Sequence, residues 1–278
     1  MKKTGDLLKT NIDRVDLTVE VLDARIPLSG LNPFVEEIVS RKPVLYVLNK
    51  ADLADESETR RWLSYFQKGK DAAAVVCCAV RPQEAKKVTA ACFALCPEAK
   101  TGRRGVRVLI TGIPNAGKST LINTLCGAAK AKTGDRPAVT KTLQRILTPG
   151  GLDLYDTPGI LWHKFENRDA AYRLAATGAV RDEVLNLPDI ALYTIEFLQN
   201  RYRDPFAQRF ALGGAVGDAP LAILDKIALK RGCTAKGGVV DREKAASVFL
   251  REVRSGKVGR LTFDRVEEVP AFEAADGV

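Results

Sequence analysis

The chain has 278 residues, too many for one small domain and enough for an α/β domain with a smaller companion. With 46% hydrophobic residues it can bury a sizeable core, and no apolar run reaches the roughly 18 residues of a bilayer span. The formal charge is +9, and residues 1–165 carry all of that excess, with 26 Lys+Arg against 17 Asp+Glu.

In chain order, residues 18–22 (TVEVL) are apolar and β-branched and end at Asp23-Ala24-Arg25-Ile26-Pro27, a buried strand running into a loop. Residues 33–40 read as a short helix. Residues 44–48 read as a second strand that delivers Asn49-Lys50-Ala51-Asp52 at its carboxyl end. Residues 56–67 have helical spacing, with Trp62, Leu63 and Phe66 on one face. Residues 73–76 form a third strand ending at Cys77-Cys78, and residues 83–95 a helix. Strands alternating with helices imply a parallel sheet. Residues 97–107 (PEAKTGRRGVR) are a basic Pro/Gly-containing connector.

Residues 106–111 form the strand that enters Gly112-Ile113-Pro114-Asn115-Ala116-Gly117-Lys118-Ser119, and residues 119–125 open the following helix. GxxxxGKS between a strand and a helix is a phosphate loop. Its glycines let backbone N–H groups turn onto phosphate oxygens, and the helix N-terminus adds positive potential. Ala116, Gly117 and Thr120 fall within that cradle. Lys118 neutralises the β- and γ-phosphates in this reading, and the Ser119 hydroxyl binds Mg²⁺. Residues 146–147 and 152–155 form a hairpin turning at Pro149-Gly150-Gly151, leading to Asp156-Thr157-Pro158-Gly159. Asp156 is placed to hold Mg²⁺ and the Gly159 N–H to meet the γ-phosphate. Between these motifs Thr140 is the candidate for the switch threonine on Mg²⁺ and γ-phosphate, with Thr142 as the alternative.

Asn49-Lys50-Ala51-Asp52 is a base reader. The Asp52 carboxylate can accept from guanine N1–H and the exocyclic amine, Asn49 can bond the other edge, and the Lys50 stem can cover the loop. Adenine offers no such pair of donors, so an ATPase is disfavoured. Cys77 and Cys78 stand either beside the base or in the core. In ordinary GTPases the phosphate loop comes first and NKxD last. Here the order is reversed, so the chain reads as circularly permuted.

Beyond residue 165 the pattern is helical. Candidates are residues 169–179, 189–203, 221–230 and 241–254, each opening near Asp or Pro, with 213–217 as a linker. The region is neutral in sum, yet residues 226–260 hold 10 basic and 3 acidic residues. That run is either a patch for phosphate-rich partners or a solvated face. Six cysteines include Cys92 and Cys96, and the single His leaves no second ligand pair. Buried reduced thiols in a cytoplasmic protein are expected, not zinc.

DARIP, LNKAD, GIPNAGKSTLIN, AKTGDRP, DTPGILW and RGC…GG…GRLTF together resemble the circularly permuted YlqF/RbgA-type ribosome-biogenesis GTPases, from about residue 13 to 263. The resemblance implies an α/β fold, a permuted P-loop GTPase domain at 1–165 with a Ras-like parallel sheet and helices on both faces. An all-α domain follows at 166–278. It implies GTP hydrolysis coupled to late assembly of the large (50S) ribosomal subunit, with the helical region on rRNA and GTP/GDP and Mg²⁺ as ligands; a monomer is the default expectation. Asn115 matches the position that holds K⁺ in cation-activated GTPases. Relatives begin with a segment ending in Gly-His-Met, whose His is implicated in hydrolysis, and Met1 lines up with that Met; a start codon placed too late is the favoured expectation, beside a truncated chain or a member that differs. His163 stands where relatives have Pro and is a candidate to orient water, as well as a candidate loop histidine. Ile160 replaces the Gln that orients water in Ras-like enzymes, so unstimulated hydrolysis is expected to be slow. Two rival readings stand beside this one: a GTP-dependent binding module that hardly hydrolyses, and a signalling GTPase whose tail binds protein.

Overall fold

The computed structural model describes residues 8–31, 36–38, 41–100, 105–127, 144–157 and 168–269. The chain divides into two compact units, Met1–Lys164 with Asp264–Val278, and Phe165–Phe263.

The first unit is built on a six-stranded sheet of order β3-β2-β1-β4-β6-β5. Its strands are β1 (Leu17–Asp23), β2 (Val44–Asn49), β3 (Ala72–Val76), β4 (Val106–Thr111), β5 (Gln144–Leu147) and β6 (Leu152–Asp156). All neighbours are parallel except β5, which returns antiparallel to β6 through the Thr148–Gly151 turn. Both faces of the central strands are covered, so β1 is buried along its whole length, Thr18 and Glu20 included. On the face of Leu22, Leu48 and Ala74 lies helix α1 (Glu56–Phe66), whose Trp62 and Phe66 complete a core. Burying each of these rings contributes roughly 2–3 kcal/mol. Asp55 caps α1, accepting from Ser57 N–H and Glu58 N–H. The other face, with Val21, Val47 and Val108 fully buried, is left to α2 (Pro82–Leu95) and α3 (Lys118–Leu125), which pack on each other.

The opening strand pairing of β1 with both β2 and β4 is what a permuted chain requires. The sequence enters at a central strand, builds one half of the sheet, and comes back through residues 97–105 to build the other. Every loop that carries a motif therefore leaves the carboxyl edge of the sheet, where open α/β sheets bind ligands.

The second unit contains α4 (Arg168–Thr177), α5 (Leu187–Arg201), α6 (Arg203–Phe210), α7 (Pro220–Lys230) and α8 (Arg242–Arg254). Phe206, Phe210 and Phe249 pack edge-on and tilted around its centre. α6 has no counterpart in the sequence reading. Tyr202 (φ −134, ψ 42) breaks the α5 helix and α6 restarts with Pro205 in its first turn. Residues 213–217, read as a linker, form a 3₁₀ turn.

The expected helical domain at 166–278 needs correction at its end. From Asp264 the chain rejoins the first unit. The buried Asp264 carboxylate accepts the Ser29 N–H and hydroxyl, both at 2.7 Å, and the Trp62 indole N–H donates to the Asp264 carbonyl at 3.3 Å.

Candidate nucleotide site

The phosphate loop is shaped by residues that cannot be exchanged freely. Gly112 has φ +148, and a Cβ there would stand 2.4 Å from the Val21 carbonyl oxygen. Gly117 has φ +97, and a Cβ would meet Asn49 Nδ2 at 2.1 Å. Asn115 is left-handed at φ 59 and exposed, while Ala116 is buried. α3 starts immediately after Gly117, so its first free N–H groups face the loop. Ser119 is exposed on that first turn, and Thr120 is half-buried with its carbonyl accepting the Thr124 hydroxyl at 3.0 Å.

The base-reading end is fastened to this loop through Asn49. Its Nδ2 donates to the Ala116 carbonyl at 2.7 Å, and its Oδ1 accepts the Ala79 N–H at 2.9 Å. The Ala79 carbonyl in turn accepts the Thr124 hydroxyl at 2.7 Å. Sequence reasoning gave Asn49 to the edge of guanine. In the structure most of its amide is spent bracing three loops, and one Nδ2 hydrogen is left for a base.

Lys50 is left-handed, φ 59, and its ammonium lies 2.9 Å from Asp23 instead of merely covering the loop. Asp23 also takes the Arg25 guanidinium in a two-pronged contact, at 2.9 and 2.7 Å. Burial opposes ionisation of Asp23, but Arg25 and Lys50 outweigh it and hold the carboxyl at about 2. The sequence signal for this cluster was Asp23-Ala24-Arg25, a motif without an assigned task.

Cys77 and Cys78 separate. Cys77 is fully buried, and burial pushes its thiol up to about 12. Cys78 is raised first by burial and then by a hydrogen bond to Asp52. It therefore stands beside the base-reading carboxylate, and its N–H donates to Glu84 at 2.6 Å.

At the phosphate end, the Lys118 ammonium is bonded to the Asp156 carboxylate and the Thr157 carbonyl. Thr157 is fixed by its own N–H and hydroxyl, both donating to the Ile110 carbonyl at 3.2 and 2.9 Å. Thr140, Thr142, Gly159, Ile160 and His163 lie outside the described residues.

A phosphate loop and a base-reading tetrad locked together at the carboxyl edge of a parallel sheet, with an acidic strand end beside the phosphate lysine, define a guanine-nucleotide-binding P-loop GTPase of permuted order. A family model described as 50S ribosome-binding GTPase matches residues 107–207. Ribosome biogenesis GTPase A of Bacillus cereus is 43% identical over 275 residues, 96% of this chain and 92% of its own. Two solved structures are similar at 30% identity and a TM-score of 0.67. The GDP-bound YlqF covers 94% of this chain and 99% of its own, and the GNP-bound YlqF from T. maritima 95% and 98%. The chain belongs to the ribosome biogenesis GTPase A (YlqF) family and is a GTPase.

Proposed function

We propose that this GTPase acts in late assembly of the large ribosomal subunit, binding a pre-50S particle in its GTP form and leaving after hydrolysis. The observation that carries the reading is the likeness to Ribosome biogenesis GTPase A across 96% of the chain, helical unit included.

In the site, Asp52 accepts from guanine and Asn49 holds the base and phosphate loops at fixed spacing. Lys118 exchanges Asp156 for the β- and γ-phosphate oxygens when a triphosphate enters, which releases the Asp156 carboxylate. Asp156 already faces a cation, and its hard oxygens with the exposed Ser119 hydroxyl suit Mg²⁺, as does the Thr140 hydroxyl. When bound, Mg²⁺ supplies neutralisation of charge between the β- and γ-phosphates. Asn115 is the candidate K⁺ ligand, and the Gly159 N–H the γ-phosphate sensor. Ile160 leaves water unoriented, so His163, a cation or the particle itself completes the site and turnover alone is slow.

The rRNA-facing side of the helical unit is narrowed by its ion pairs. Of the basic residues in 226–260, Lys226, Arg231, Arg242 and Arg254 already pair with Asp218, Glu252, Asp225 and Asp182. Lys236, Arg251 and Lys257 are exposed and are the phosphate contacts of this reading. The chain runs from Asp156 directly into the helical unit, which gives γ-phosphate loss a covalent route to RNA affinity. We place the protein in the cytoplasm as a monomer. Its described cysteines are all free, and no described helix is long and apolar enough to cross a membrane.

The test is GTP turnover in KCl and in NaCl, with and without purified 50S subunits, alongside cosedimentation in GDP and in a non-hydrolysable analogue. Stimulation by subunits and GTP-favoured cosedimentation are expected. Equal affinity in both nucleotides would end the reading that hydrolysis releases the protein from the particle.

A further inference from the structure

Guanine selection rests on Asp52, yet Asp52 sits on a loop whose first residue, Lys50, is in the left-handed region. Such a residue is held by its surroundings or not at all. Three contacts hold it. The Asn49 carbonyl accepts the Ala24 N–H at 2.8 Å, the Lys50 ammonium meets Asp23 at 2.9 Å, and the Lys50 carbonyl accepts the Leu53 N–H at 2.9 Å. Two of these come from residues 23–24. Residues 23–30 are themselves a tight coil, with Ile26 N–H donating to the Asp23 carbonyl and Gly30 N–H to the Ile26 carbonyl, both at 2.9 Å. A Cβ on Gly30 would stand 2.9 Å from that Ile26 oxygen, so the coil has no slack. Its far end is Ser29, gripped twice by the fully buried Asp264.

We propose that Asp23, Arg25, Ser29 and Asp264 form a positioning relay that sets the NKxD loop for guanine, so that the segment leaving the helical unit takes part in base selection. The relay rests on the GTPase reading. Asp264 fixes Ser29, Ser29 fixes the coil, and the Asp23–Arg25 pair at the coil's start fixes Lys50. The charges of Asp23 and Asp52 raise the Arg25 pKa against the lowering effect of its burial, so the same guanidinium acts on the base-reading carboxylate. Each of the four acts through Lys50 or Asp52.

The experiment compares fluorescent mant-GDP and mant-IDP on the full chain. Inosine lacks the exocyclic amine, so the affinity ratio reports the Asp52 contact and not the phosphate loop. Ser29→Ala removes one hydrogen bond, and its ratio is expected to fall about five-fold; Asp264→Asn and Asp23→Asn are expected to lower it further. Ser29→Thr, which keeps the hydroxyl, should restore it. Melting curves identify any variant that fails to fold, and Ser29→Ala then carries the test. A ratio unchanged in folded variants, whether or not both affinities drop together, overturns the relay. A wild-type chain that does not bind mant-GDP overturns the nucleotide reading beneath it, a result separable from the first.

Discussion

The Asn49 side chain donates to the Ala116 carbonyl at 2.7 Å across 67 residues of sequence, and this bond ties the base-reading tetrad to the phosphate loop. Asn49→Ala is expected to cut the bonds to both Ala116 and Ala79. The two lost bonds together cost about 1.4–2.8 kcal/mol, so GDP affinity should fall about 10- to 100-fold with little change in helix content. A mant-GDP titration with a circular dichroism spectrum of the same sample checks this. Unchanged affinity would mean that the two loops hold their spacing without the clasp.

Gly117→Ala tests the same clasp from the other side. The new methyl would meet Asn49 Nδ2 at 2.1 Å on a backbone at φ +97, so strain and displacement act together. A loss of roughly 2–3 kcal/mol in stability and of measurable nucleotide binding is expected. Denaturant unfolding and the titration above read these out. A variant that binds GDP like the wild type would show that Asn49 can move aside.

Glu20 gives a pH dependence. It is buried in β1, and burial first, then hydrogen bonding and repulsion from Glu36, raise its pKa well above the carboxylate range. The groups facing it are Glu36 and Tyr46, whose hydroxyl lies 3.2 Å from Glu36. A raised folded pKa contributes stability that is complete below the unfolded value of about 4.3 and is lost as pH rises through the folded value. Glu20→Gln mimics the protonated form and removes this loss. The variant should gain on the wild type as pH rises from 4 to 9 in parallel urea titrations. A constant difference across that range would refute the protonated assignment.

In the helical unit, Glu252 accepts from Arg209 and from Arg231, each at 2.7 Å, and Arg231 lies over the Phe210 ring. Removing the anion leaves two guanidinium groups facing each other near the core. Glu252→Gln is expected to destabilise the unit by about 2–4 kcal/mol, read as a lowered melting temperature of the full chain. GDP affinity should stay the same, because the network lies within the helical unit.

The glycines of the phosphate loop and the β-branched runs ending at Asn49, Cys77 and Thr111 were legible because backbone demands are written locally. The order of those runs also revealed the permutation, since it needs no contact information. What stayed hidden depends on partners distant in sequence. Nothing in Asn49's neighbourhood says that Ala79 and Ala116 take up its amide. Cys77 and Cys78 are adjacent and chemically identical, both buried just past the end of β3, and nothing local says that the second one meets Asp52. The α6 helix escaped because Pro205 and the break at Tyr202 read as a loop start, although Pro is well tolerated in a first turn. The return at Asp264 escaped because a single acidic residue after GRLTF carries no periodic signal.

That return has a consequence for anyone trimming the chain. A version ended at residue 263 would keep all five helices named in the helical unit and every nucleotide-binding motif, and by inspection of the sequence it would seem complete. It would nevertheless withdraw the carboxylate that Ser29 leans on and the carbonyl that holds Trp62. The helical unit is thus an insertion within the sequence of the GTPase unit and not a C-terminal appendage. Excising it requires splicing Lys164 to Asp264, not a stop codon.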